Sequence, residues 1–355
     1  MKKRENLLSC LPSLILHIKG KEHPGYDSRD NGHNETVMPG VALMKGFALS
    51  LFLIAALATQ AQRIEPGSHW YNGAVVYESS QQKDGKIVMN AMAEGEELEF
   101  ILVPAKKKAG TYQVATSPNS GIALYEEGTT VKHIQREGLD ILCLHNQAGQ
   151  LFRMLTKTDE WDCQKLNVEH WMQTVRGSYT MQDGTRVTID WTKALVGGKY
   201  IPVEPMTFNG FVTDLITFDG EGTPLNGTME VRPTIEGIRL YEVGFDDYGT
   251  WHRLNDNAID LTESDPNTPR FHFACTMPLT GTDIYDYDKQ MLRLMRNTIY
   301  ARHGYVFESA ELQEYFGNEP WYQPVDNNKD IHLSFIEELN VELIKSREAS
   351  LDTEK

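Results

Sequence analysis

Between residues 62 and 282 the apolar positions recur with a period of two, the spacing of strands with one buried and one wet face. The clearest case is GSYTMQDGTRVTIDW, residues 177–191. Tyr179 and Met181 alternate with polar residues ahead of Asp183-Gly184, and Val187, Ile189 and Trp191 alternate after it. Asp-Gly and Asn-Gly pairs suit the positive φ angles of tight hairpin turns. Such pairs recur at Asp84-Gly85, Asp219-Gly220 and Asn226-Gly227. GTMEVRPTIEGIRLYEV repeats the style, with Ile238, Leu240 and Val243 near its end. Strands at this spacing predict antiparallel sandwiches or barrels.

Two small β domains, 62–165 and 166–282, are expected, and one continuous β domain stays open as the alternative. KTDEWDCQKLNVEHWMQT is the best boundary or linker between them. The short strings GTYQV at Gly110 and GSYTM at Gly177 hint at a duplicated unit.

From Asp283 the period changes to that of a helix, and residues 283–350 are expected to form a small helical module. Asp283, Asp286 and Asp288 crowd one end of DYDKQMLRLMRNTIYARHG, where carboxylates face the positive end of the helix dipole. Met291, Leu292, Met295 and Ile299 fall on one stripe, and Gly304 closes the helix. SAELQEYF predicts a short helix capped by Ser309. SFIEELNVELIKSRE predicts a last helix whose capping box is Ser334 with Glu337. Its stripe is Ile336, Leu339, Leu343 and Ile344. The fold class expected from these patterns is α+β: one or two antiparallel sandwich-like or barrel-like domains, then a small helical module.

The N-terminus changes the compartment. MKGFALSLFLIAALATQAQ, from Met44, has a basic n-region at Lys45, an apolar stretch from Phe47 to Ala58, and small residues at Thr59 and Ala61. Those are the three parts of a secretory signal, too short for a stable membrane span. Residues 44–61 are therefore read as a signal peptide cleaved after Ala61. Residues 1–43, without periodicity, are read as a start-site overcall that forms no structure. Export would place the mature chain in the periplasm or outside the cell, with no membrane span. Past the leader stand Cys143, Cys163 and Cys275, an odd count that allows at most one disulfide. All three are expected buried and reduced, or one pair bridged, with Cys143 and Cys163 the nearer pair.

The 355 residues carry a formal net charge of −16 and 40% hydrophobic residues. That composition suits two or three globular domains. The acidic balance argues against nucleic acid as a partner and against an electrostatic grip on anionic lipid.

The strings NTIYARHGYVF, LQEYF, WY and IEELNVELI, in that order over about residues 286–347, resemble the YARHG domain, a small module of exported bacterial proteins. The resemblance implies a role outside the cytoplasm. It brings no established activity or ligand, so no catalytic or binding set comes with it. The β region before it resembles no family recognised here.

Two readings of this motif compete. At about 100° per residue, Arg302 falls within about 20° of Met295 on the helix wheel, along the apolar stripe, with His303 at its edge. A guanidinium facing a core needs acceptors, so the structural reading pairs Arg302 with Glu337 or nearby carbonyls. In that reading His303 caps helix carbonyls and Asn340 ties down the loop after Gly304. Tyr300, Tyr305, Phe307, Tyr315, Phe316, Trp321 and Tyr322 then fill the small core, and Asn297 belongs to the same motif. The functional reading is a ligand groove, with donors from Arg302 and His303 and flat faces from Trp321 and Tyr322, suited to sugar rings or peptide termini. His303 as a general base lacks a partnered nucleophile.

Other constellations are weaker. Cys143 and His145 share a strand face, but two ligands do not make a zinc site. DIYDYD lacks the glycine and distal Glu of a calcium loop. Asp246, Asp247 and His252 could hold a glycosidase-like carboxylate pair, and a turn explains them equally. No G-x-S-x-G elbow, phosphate loop or H-E-x-x-H occurs, so no metal, cofactor or catalytic residue is assigned. The expectation is a non-enzymatic envelope protein for recognition or scaffolding, with glycan, peptidoglycan or another envelope protein as partner. The alternative is a hydrolase of envelope polymers with its site in the β region.

Overall fold

The computed structural model describes residues 63–93, 96–106, 108–115, 125–208 and 211–353. The expected leader and the stretch before it, residues 1–61, lie outside the described residues. The period-two regions form two closed antiparallel barrels of eight strands each, every strand paired with the next and the last with the first.

The first barrel runs from β1 (His69–Tyr71) to β8 (Leu151–Thr158), which close the wall with His69 opposite Thr158. Trp70, Tyr77, Phe100, Leu142 and Leu155 fill its interior. The second runs from β9 (Gly177–Met181) and β10 (Arg186–Ile189) to β16 (Trp251–Glu263), closing with Leu261 opposite Met181. Tyr179, Met181, Val187 and Ile189 all face inward, as their alternation requires. The turn between β9 and β10 is Asp183-Gly184, with Gly184 at φ 84° and Asp183 Oδ1 accepting from Thr185 N–H. Asp219-Gly220 and Asn226-Gly227 belong to one loop between β13 (Phe211–Phe218) and β14 (Gly227–Pro233), not to two hairpins. Asn226 Oδ1 accepts from Gly220 N–H and ties the loop's ends together.

The expected linker is an α-helix, α1 (Cys163–Val175), capped by the Asp162 carboxylate on Lys165 N–H. Val168, Trp171, Met172 and Val175 stand at i, i+3, i+4 and i+7 and pack on the core of the second barrel, a helix stripe that the linker reading passed over.

After β16 come α2 (Phe273–Thr276), α3 (Lys289–Arg302), α4 (Ala310–Gly317) and α5 (Phe335–Thr353). Met291, Leu292, Met295 and Ile299 are buried as their stripe predicts. Asp288 alone of the three acids caps α3, its Oδ1 accepting from Met291 N–H. Asp283 instead pairs with His170 of α1 at 2.8 Å. Ser309 stands at the N-cap of α4 but makes no capping bond. The box at α5 is present: Glu337 Oε2 accepts from Ser334 N–H, and Ser334 Oγ accepts from Glu337 N–H.

The helices do not close a core by themselves. Ile141 and Cys143 of β7 (Leu139–His145), with Leu151 and Met154 of β8, join the helical cluster. Leu142, Leu144 and Leu155 point the other way, into the barrel. The wall of the first barrel at β7 is thus buried on both faces. Cys143, Cys163 and Cys275 are all free. Cys163 is only half-buried, its thiol donating to Ala74 O at 2.8 Å. Burial pushes the Cys143 thiol up to about 12. His145 is buried too, donating from Nδ1 to Cys143 O and accepting at Nε2 from Lys132. Among the described residues no helix is long and apolar enough to cross a membrane.

Candidate functional site

Helix α3 ends at Arg302, and His303, at φ −92° and ψ 7°, has left the helical path. Gly304 follows at φ 78°, with its N–H on Ala301 O. A side chain there would strike Gln323 O at 2.3 Å, so glycine is required by space as well as by φ. This break decides the fate of His303. A wheel drawn through position 303 fails once the backbone leaves the helix.

The expected Arg302–Glu337 pair does not form. His303 takes that place, with Nε2 2.9 Å from both Glu337 oxygens. Glu337 is buried and also accepts from Ser334 N–H and Oγ–H. Three donors, with the His303 N–H shared between both oxygens, therefore satisfy one buried carboxylate, as burial demands. Arg302 turns outward and is exposed. Its guanidinium donates to His272 Nδ1 at 3.2 Å. Partial desolvation by its neighbours and the Arg302 charge both hold the exposed His272 below its ordinary pKa, which leaves Nδ1 to accept. Burial pushes the Cys275 thiol up to about 12, against the pull of Arg302.

Asn340 is fully buried, but it serves a different segment from the one expected. Its Oδ1 accepts from Leu279 N–H at 2.9 Å, and its Nδ2 donates to Ala274 O and Met277 O at 2.8 Å. It fastens the chain entering the module, not the loop after Gly304. Asn297, buried on α3, donates to Arg293 O.

The aromatic residues build one continuous cluster. Phe307 stacks on Phe316 at 4.9 Å, with Tyr305, Tyr315, Trp321 and Tyr322 around them and Tyr300 against Tyr305. Trp321 and Tyr322 are half-buried. Trp321 Nε1 donates to Glu319 and the Tyr322 hydroxyl donates to Tyr305 O. Each polar group proposed for a groove by sequence thus has a partner within the chain.

Residues 272–349 match the family model of the YARHG domain. The match takes in α2 and Cys275, ahead of the strings that carry the resemblance. No curated protein and no solved structure matches the chain. Within the YARHG region, the motif string itself marks a helix end: Ala301 is buried in the core, Arg302 faces solvent, His303 holds the first turn of α5 and Gly304 makes the turn.

A second surface lies on the second barrel, and the alternation pattern did not reveal it. Strands β15 (Gly237–Phe245) and β16 form a hairpin whose end exposes Phe245, Tyr248, Trp251 and Leu254, Tyr248 at 92%. Leu261 to Glu263 of β16 pair with β9, Ala258 to Asp260 pair with β15 within the wall, and past the register break at Glu242 the two strands run out as a hairpin. Asp246 sets the turn by accepting from Tyr248 N–H and Thr250 N–H; Asp247 lies in that turn, and His252 stands on β16 opposite Gly244. The signal available in sequence was FDDYGTWHRL itself, aromatic on both sides of a turn.

Among the described residues no group of three or more His, Cys, Asp or Glu side chains is placed to hold a metal ion.

Proposed function

We propose that this protein is an exported, non-enzymatic recognition protein of the bacterial envelope, binding a glycan or protein partner through the β15–β16 hairpin of its second barrel. In this reading the YARHG region is the clasp that fixes the barrels, and the hairpin is the working surface. The observation that carries it is the exposed aromatic end, Phe245, Tyr248, Trp251 and Leu254 together. Contiguous exposed apolar residues on a soluble surface mark interaction sites. Arg302, His303, Trp321 and Tyr322 stand as the competing surface, with less weight because their polar groups are engaged inside the chain. Export rests on the signal-like stretch from Met44 to Ala61.

The test is a pull-down of the purified protein on insoluble peptidoglycan and on total envelope material, with the supernatant assayed for released fragments. Retention without release, lost in a folded Trp251→Ala, Tyr248→Ala double variant and kept in Arg302→Ala and Trp321→Ala, is the expected result. Release of soluble fragments would make the protein a hydrolase. Loss only in the Arg302 and Trp321 variants would return the site to the YARHG region.

A further inference from the structure

The strand that carries the hairpin leaves the mouth of the second barrel open. Two hollows of about 340 and 350 Å³ lie there and meet at Ala258 and Ile259. The first reaches from Ile259 to the β9–β10 turn at Gln182 and Asp183. The second lies between the loop bearing Thr223 and Asn226 and a bulge in β16 bearing Asn255 and Asn257. That bulge follows from the register: Tyr241 faces Ala258 and Val243 faces Arg253, so Glu242 alone spans residues 254–257. Barrel mouths are common ligand sites, and about 300–1,000 Å³ is their ordinary size.

The lining narrows the chemistry. Met229 and Leu240, both buried, and Ile259 give the second hollow its apolar part. Its polar part is three side-chain amides, one hydroxyl and the Glu242 carboxylate. No residue lining either hollow is basic. An anionic ligand would meet Glu242 and Asp183 with no counter-charge, on a chain already at −16. Asp260 is engaged by Arg239 through two bonds. Asn257 and Glu242 are exposed, so their amide and carboxylate are open to a ligand. Amides and a carboxylate over an apolar floor match the alternating donors, acceptors and C–H faces of a sugar ring. The two adjoining hollows give room for more than one ring.

We propose that the open mouth of the second barrel binds a neutral oligosaccharide, held by Asn226, Asn257 and Glu242 with one ring over Met229 and Ile259. The proposal rests on the reading of the second barrel as the recognition surface and names its ligand class.

Calorimetric titration of the purified protein with four neutral tetrasaccharides (β-1,4-linked N-acetylglucosamine, β-1,4-glucose, α-1,4-glucose and β-1,4-mannose) tests it, with tetralysine as the cationic comparator. Saturable binding of at least one sugar is expected, weakened about tenfold or more in both Asn257→Ala and Glu242→Gln. Both substitutions are at exposed positions and should melt as the wild type does. No binding by any of the four sugars overturns the proposal, as does binding unchanged in both variants or a preference for tetralysine. Retention on envelope material that Trp251→Ala abolishes, without binding of any tetrasaccharide, leaves the hairpin surface standing and removes the sugar. Failure of both assays removes both.

Discussion

Glu137, on the turn between β6 (Thr130–Arg136) and β7, accepts a hydrogen bond from the backbone N–H of Phe335, the first residue of α5, at 3.0 Å. A residue 198 positions away in sequence thus caps the last helix. Glu137 sits at φ 56° and Gly138 at φ 81°, the pair of positive angles that a two-residue hairpin turn needs. Glutamate is a poor choice for that angle, at a cost of about 1–2 kcal/mol. Its carboxylate gives the reason for its presence there. Arg136 beside it bonds Glu338 at 2.8 Å and covers the Phe335 ring.

Two substitutions at Glu137 should separate strain from capping. Glu137→Ala keeps the strained angle and loses the cap, so it should cost about 1 kcal/mol. Glu137→Gly loses the cap and relieves the angle, so it should melt closer to the wild type. Thermal melts check both terms: an alanine midpoint equal to the wild type would deny the capping role, and a lower midpoint for glycine than for alanine would deny the strain.

His303 and Arg302 should rank opposite to their expected roles. His303→Ala leaves Glu337 buried with fewer donors and should destabilise the chain by about 1–3 kcal/mol. Arg302→Ala removes an exposed contact and should cost less than about 1 kcal/mol. Urea denaturation of both variants measures this, and a larger loss for Arg302 would restore it as the buried partner.

Asn340→Ala should be among the most damaging single changes in the YARHG region. It deletes three buried hydrogen bonds and strands two carbonyls and an N–H, for roughly 2–4 kcal/mol. Asn340→Asp should be at least as costly, since its added oxygen would face Ala274 O and Met277 O. Equilibrium unfolding that leaves either variant at the wild-type midpoint would contradict this.

Stability should fall as pH rises, in two windows. Burial raises the Glu263 carboxyl from 4.5 to about 7, aided by Glu319 and Asp265 and opposed by Arg270. The folded state then holds a proton that the unfolded state gives up above pH 4.5, so that stability is present below 4.5 and is lost as pH rises to about 7. For His170, burial works to lower the pKa, but the charge and hydrogen bond of Asp283 raise it above 6.5. Its contribution is fully present below pH 6.5 and fades as pH climbs through the raised folded value. Melting midpoints from pH 4 to 9 should flatten between 4.5 and 7 in Glu263→Gln, and above 6.5 in Asp283→Asn. Unchanged slopes would deny these assignments.

Much of the fold was legible because period two and period 3.6 are direct records of burial. Tyr179, Val187, Met295 and Leu343 all face where their spacing places them. The site was less legible for identifiable reasons. The wheel set Arg302 along the stripe, but as the last residue of α3 it reaches past the core to solvent, and the wheel no longer applies to His303, one residue beyond the helix. Helix α1 did carry a signal, Val168, Trp171, Met172 and Val175 at helical spacing, but its polar flanks Asp159 to Lys165 read as a linker. The run Ile141 to Leu144 did hold a usable signal, since a strand without alternation is covered on both sides. What covered it, the helices after residue 272, could not be read from a local pattern. The exposed aromatic residues at 245–254 follow no burial rule, so periodicity passes over them.

The shared core of the YARHG helices and the first barrel bears on protein engineering. A segment that a family model delimits at residues 272–349 is here one side of a two-sided contact, with Ile141, Cys143, Leu151 and Met154 on the other. Excised, it would carry a raw apolar face and should aggregate or remain molten. Transplanted onto another scaffold, it would need a strand surface shaped to receive it. In this chain the cassette and its dock are therefore one unit, and a change at Ile141 or Met154 is felt by the helices that cover it.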